Sequence, residues 1–102
     1  MLVVINVTCR NRKEATVIAR ALLKKKLVAC VNLAPVDSVY WWENKLVTSR
    51  ETALACKTVA RNVHAAMKLI EQLHSYGVPV ITVEKVIANK KALDWAANVT
   101  NH

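Results

Sequence analysis

Two stretches of this chain are apolar on both strand faces, and that constrains the fold more than any other feature. A strand with one wet face alternates apolar and polar residues, whereas a strand buried on both sides reads as a continuous apolar run. Leu27–Val36 and Val78–Ala88 are apolar on both parities for much of their length. A sheet built from them needs cover on two sides.

The remaining elements show how much cover the chain has. Leu2–Thr8 is short, β-branched and apolar, a buried first strand. Asn11 and Glu14 form a capping-box variant, with Glu14 reaching back to the cap. Ala15, Ile18 and Leu22 then recur at helical spacing, and the helix ends at Lys24-Lys25-Lys26, where cations suit the negative end of the dipole. Leu27–Glu43 reads as a second strand, with a bend or bulge expected at Pro35 and Asp37. Glu43-Asn44 is the hairpin turn, and Leu46–Val59 returns as the partner. Asn62 starts a second helix along Val63, Ala66, Met67, Ile70, Leu73 and His74; Ser75-Tyr76-Gly77 stops it, with Gly77 suited to a left-handed cap. Val78–Ala88 is the fourth strand, Asn89 caps a short helix through Trp95 to Ala97, and Asn98–His102 is a polar tail.

The order β-α-β-β-α-β with a trailing helix specifies an α+β, ferredoxin-like antiparallel sheet with both long helices on one face. A chain of 102 residues without internal linkers makes one domain, 1–102. Its two helices leave the second sheet face bare, so further copies of the chain are the expected cover. Tyr40, Trp41 and Trp42 near the hairpin tip point the same way, because adjacent strand residues face opposite sides and cannot all enter one core.

Charge and composition narrow the function classes. The net charge is +8, from 15 Lys and Arg against 7 Asp and Glu, which favours anionic partners. Lys24-Lys25-Lys26, Arg10-Arg12-Lys13 and Lys90-Lys91 nevertheless sit at helix ends and loops, where a solvated face explains them. RNA binding by such a sheet needs strand aromatics for stacking, and the chain has no Phe, so nucleic acid ranks well behind other partners. A single glycine excludes Gly-rich phosphate loops. Cys9, Cys30 and Cys56 match neither a disulfide framework nor a zinc finger, which suits reduced thiols in a cytoplasmic protein. No apolar run is long enough to span a bilayer and no secretory leader is visible. No nucleophile–base pair or nucleotide motif appears at useful spacing, so a non-enzymatic role is expected.

Several spaced blocks carry a resemblance: Val28-Ala29-Cys30-Val31-Asn32-Leu33 with Pro35, Ser38 to Lys45, Glu51, Lys57-Thr58, and His74-Ser75-Tyr76 with Pro79. Over Val3 to Trp95 the chain resembles the CutA family of divalent-cation tolerance proteins. The resemblance implies a ferredoxin-like fold, a tight homotrimer with Tyr40, Trp41 and Trp42 at its interface, and a role in tolerance of copper or other divalent cations. It also implies a likeness to PII-type signalling trimers, so a PII-like sensor of an anionic metabolite, acting on a protein partner, is the alternative reading. Clefts between subunits would gather Glu51, Lys57 and Tyr76 around a small anion or metal ion, with no cofactor needed for folding. Enterobacterial members have a Cys late in the first strand and two consecutive His at the end of the second helix as proposed copper ligands; here those positions hold Val7, Leu73 and His74. Cys9, two residues on with the same strand parity, is the candidate to join His74 at a metal.

Two roles are open to His74: a metal ligand, or an imidazole held at the helix C-terminus by the dipole. Glu51 and Lys57 are open to a ligand role or a plain salt bridge. Arg10, Arg12 and a helix N-terminus beside Cys9 lower its expected pKa and make it the most reactive thiol, whereas Cys30 and Cys56 read as small buried residues.

Overall fold

A computed structural model of the chain describes residues 1–101. The chain forms β1 (Leu2–Cys9), α1 (Arg12–Lys24), β2 (Cys30–Trp42), β3 (Lys45–Thr58), α2 (Val63–Leu73, after a 3-10 turn at Ala60–Asn62), β4 (Ile81–Val86) and α3 (Lys90–Val99). The four strands make one antiparallel sheet in the order β2-β3-β1-β4. This is the α+β arrangement expected from the order of apolar periods.

Strand alternation places the core. Val3, Ile5, Val7 and Cys9 of β1 and Leu54 and Cys56 of β3 turn to one face. Most of them join Ala15, Ile18 and Leu22 of α1 and Ala66 and Ile70 of α2 in one buried cluster. Helix α1 starts as its sequence dictates, with Asn11 Oδ1 accepting from Glu14 N–H at 2.9 Å. It ends in a Schellman motif: Leu27 N–H donates to Leu22 O and Lys26 N–H to Leu23 O, with Lys26 left-handed at φ 56°.

The opposite face of the sheet corrects one expectation. Its inner positions carry small or polar residues, among them Asn6, Thr8, Asn32, Ala53 and Ala55, and Asn6 donates to Glu84 across it at 2.7 Å. Exposed apolar surface is concentrated elsewhere. β1 pairs with β3 only from Thr52 inward, so Val36–Glu51 projects beyond the sheet as a two-stranded ribbon. Its outer end exposes Val39, Trp41, Trp42 and Leu46, with Trp41 71% exposed. The ribbon gives the chain a 44 Å long axis and a radius of gyration of 14.1 Å, against about 13 Å for a compact chain of this length.

Other local expectations shift. The β2–β3 register is one-to-one from Cys30–Lys57 to Trp42–Lys45, without the bulge expected at Pro35 and Asp37. β2 is an edge strand, where a proline is tolerated. The Glu43-Asn44 turn forms with both residues at positive φ, 50° and 63°, the signature of a two-residue primed turn. Gly77 is not left-handed; α2 ends at His74 in extended conformation instead. β4 is shorter than its apolar run, because residues 74–80 bend around the end of β1 before pairing begins at Ile81. Helix α3 reaches Val99, and Thr100 Oγ1 donates to Ala96 O at 2.7 Å, so most of the expected tail is ordered. His102 lies outside the described residues.

Candidate functional site

The site grows out of the place where β1 stops and β3 continues. Residues 74–76 bring Tyr76 to Glu51 on the part of β3 that β1 does not pair, and two anchors hold them there. In the first, His74 Nε2 donates to Thr8 O at 2.8 Å, while Nδ1 accepts from Tyr76 N–H at 3.1 Å. The two hydrogen bonds orient the ring, and Glu14 Oε1 lies 3.5 Å from Nδ1. In the second, Glu14 accepts from Ser75 N–H at 2.8 Å and Ser75 Oγ at 2.9 Å, with Arg10 Nε at 3.6 Å. Burial works to raise the Glu14 pKa, but the Ser75 hydrogen bonds, the nearby His74 and a hydrogen bond from the Arg10 main chain outweigh it and hold the carboxyl below its ordinary value. Glu14 therefore ties α1 to the segment after α2 instead of reaching back to its own cap.

With the segment fixed, the Tyr76 hydroxyl donates to Glu51 Oε2 at 2.7 Å. Glu51 is 5% exposed, on the first residue pair of the ribbon. Burial, the hydrogen bond to Glu51 and that carboxylate's charge push the Tyr76 hydroxyl above its usual range, so it stays a donor. Above the pair lies a cavity of about 620 Å³ lined by Thr8, Ser38, Tyr40, Trp42, Glu51 and Tyr76, together with Gly77 and neighbouring apolar residues. Tyr40 and Trp42 share the Glu51 side by alternation, since Val36 is the direct partner of Glu51. Tyr40 is braced by Ser49 Oγ at 3.2 Å.

The cavity gathers some of the expected site residues and leaves others out. Glu51, Tyr76, Tyr40, Trp41 and Trp42 line it. Lys57 does not: six residues along β3 place it about 20 Å away, on the sheet face between Val4 and Cys30. The Glu51–Lys57 pair is thus not formed within the chain. His74 has both ring nitrogens committed to the main chain, leaving no lone pair for a metal. Cys9 is fully buried, and burial, then the charges of Glu14 and Glu51, push its thiol up to about 11. This overturns the expectation of a reactive Cys9, because Arg10 and Arg12 point to solvent while the carboxylates stay close. Among the described residues no group of three or more His, Cys, Asp or Glu is placed to hold a metal ion. The wall contains one carboxylate and neither Lys nor Arg, so an anionic metabolite, as in the PII-like alternative, finds no counter-charge there.

Sequence reasoning missed Ser75 and Glu14 as builders of the site. The signal was a helix-start glutamate that a local cap explains equally well.

Comparisons with known proteins agree with this fold. The family model described as CutA1 divalent ion tolerance protein matches residues 3–99. The chain belongs to the CutA1 family. The divalent-cation tolerance protein CutA of Archaeoglobus fulgidus is 37% identical over 94 residues, covering 89% of this chain and 90% of that one. The chloroplastic Protein CutA 1 of rice is 37% identical over 100 residues, and there the CutA1 match covers 96% of this chain but 56% of the relative. Similarly, the chain spans 54% of human Protein CutA, at 38% identity over 92% of its own length. Among solved structures, the periplasmic divalent cation tolerance protein CutA from Archaeoglobus fulgidus superposes with a TM-score of 0.96 at 34% identity, covering 99% of this chain and 100% of that one. The CutA1 fold thus accounts for the whole sheet, ribbon included. Among the described residues no helix is long and apolar enough to cross a membrane.

Proposed function

We propose that this CutA1 chain acts as a non-enzymatic homotrimer that takes up a cation in the cavity beneath its ribbon, in the service of divalent-cation tolerance. The observation that carries the cation reading is Glu51: a buried carboxylate whose bound partner is a tyrosine hydroxyl, on a wall without Lys or Arg. A buried charge without a counter-ion is costly, and a cation in the cavity relieves it. A divalent ion held there by Glu51 keeps several waters or draws oxygen donors from a second copy, since one carboxylate is far from a full shell. Copper at His74 and Cys9 is not part of this reading, because both side chains are already engaged or buried.

The trimer rests on the ribbon. An isolated two-stranded ribbon is marginal in water, and this one exposes two tryptophans, Val39 and Leu46. Further copies covering it also roof the cavity. Three free cysteines suit a reducing, cytoplasmic setting.

Calorimetric titration with Zn(II), Mn(II) and Cu(II) tests the cation reading on the wild type, Glu51→Gln and His74→Ala. Binding that is lost in Glu51→Gln and kept in His74→Ala is expected. Binding lost in His74→Ala but untouched in Glu51→Gln overturns the site.

A further inference from the structure

Most of the chain's excess charge sits on one helix and its two ends. Residues 10–26 hold seven Lys and Arg against one acid, and so carry six of the net eight positive charges. All seven cations are exposed. Among the described residues only Arg10 of the seven forms an ion pair, with Glu14, whose carboxylate Ser75 also engages. Arg10, Arg12 and Lys13 lie at one end of α1 and Lys24-Lys25-Lys26 at the other, a belt about 20 Å long at the helical rise per residue.

At the C-terminal end of that belt lies a groove of about 460 Å³ between the end of α1 and the flank of α2. Lys25 and Leu27 line one side, and Ala65, Lys68, Leu69 and Gln72, at helical spacing on α2, line the other. Leu27 is buried and Leu69 half-buried, so the apolar floor is recessed, while Lys25 and Lys68 are exposed. Glu71, the one acid of α2, is not among the lining residues. Both helices pack on the core face of the sheet, and the groove shares no lining residue with the ribbon or the open sheet face.

Anionic partners differ in what they ask of such a surface. A nucleic acid needs rings to stack its bases, and the groove has none. A bilayer needs apolar side chains that protrude, whereas these lie below two lysines. A small carboxylate fills the groove and leaves the belt unused. An acidic peptide with an apolar side chain uses both, the anchor in the recess and the carboxylates along the cations.

We infer that the groove between the end of α1 and α2 is a docking site for an acidic peptide segment of a partner protein. The segment seats an apolar side chain on Leu27 and Leu69 and sets its carboxylates against Lys25, Lys68 and the α1 belt. This site is independent of the cation reading of the ribbon cavity.

Fluorescence anisotropy on the full chain tests it with a labelled peptide of two leucines flanked by glutamates, a second peptide with serines for the leucines, and a single-stranded RNA of equal charge. At low ionic strength the leucine peptide is expected to bind at least about tenfold more tightly than the serine peptide, as burial of one leucine implies. Lys25→Glu combined with Lys68→Glu should weaken the leucine peptide by at least about tenfold. Ala65→Arg adds a positive charge but lays a long side chain across the groove. It should weaken the leucine peptide by about tenfold and leave the serine peptide as tight or tighter. All three positions are exposed, and circular dichroism and sedimentation check that fold and assembly are retained. Equal binding of the two peptides, or tighter binding of the leucine peptide by Ala65→Arg, overturns the proposal by showing a merely solvated cationic face. RNA bound more tightly than either peptide, and equally by wild type and Ala65→Arg, overturns it in favour of nucleic acid. No binding of the leucine peptide overturns it outright.

Discussion

The inner and outer halves of the β2–β3 hairpin are one continuous ladder, yet they live in different solvents. From Thr52 to Thr58, β3 lies between β1 and β2 and sends Leu54, Cys56 and Thr58 under the helices, each at most 1% exposed. From Val36 to Glu51 the same strands leave the sheet and expose Val39, Trp41, Trp42 and Leu46. Backbone pairing is unbroken through both, so hydrogen bonding does not separate them. Side-chain cover does. The inner half is folded by its own chain, and the outer half is completed by something else.

The largest expected effect sharpens that contrast from the inner side. Leu54→Ala opens a cavity in the helix-covered core and should lower unfolding free energy by about 2–5 kcal/mol, read from the denaturant midpoint. If it costs no more than Trp41→Ala in dilute solution, the two halves are not distinct. From the outer side, Trp41→Ala combined with Leu46→Ala removes a directly paired apolar couple. It should lower the solution mass toward one subunit while the isolated subunit keeps its far-ultraviolet dichroism. An unchanged mass breaks the comparison.

The junction between the halves is held by Glu14. Because its carboxyl is depressed in the folded chain, its contribution is present above the carboxylate's unfolded pKa and is lost as pH falls through the lower folded value. Glu14→Gln should therefore flatten the acid limb of the stability–pH curve; an identical acid limb would show that the anchor carries no charge-dependent stability. Thiol labelling gives a smaller contrast. Cys9 and Cys56 are fully buried with pKa values pushed up to about 11 and 12, while Cys30 is partly exposed on the open face. Cys30 should react first, and earlier in dissociated subunits than in the assembly. The smallest effect is at the end of α1, where Lys26→Gly relieves a left-handed lysine and should add about 0.5–1 kcal/mol.

The element order was legible because each element has a single period: β-branched runs for the strands, 3.6-residue stripes for α1 and α2, and a two-residue turn at Glu43-Asn44. Ends were less legible. Val80 and Ile87 look like strand but lie outside β4: Ile87 falls beyond the first residue of β1, and at the register position of Val80 the Thr8 carbonyl is already taken by His74. The same cause hid the site. Glu51 and Tyr76 were visible as candidates, yet nothing local places Ser75 on Glu14 or His74 on Thr8, contacts spanning 61 and 66 residues. Lys57 was misplaced because shared parity fixes a face and says nothing about the distance along it.

Cover of the ribbon by further copies is tested most directly by sedimentation equilibrium from micromolar down to nanomolar concentration. The expected mass is three times 11.4 kDa, persisting on dilution with tryptophan emission typical of buried rings. A well-folded particle of 11.4 kDa across the whole range would contradict it.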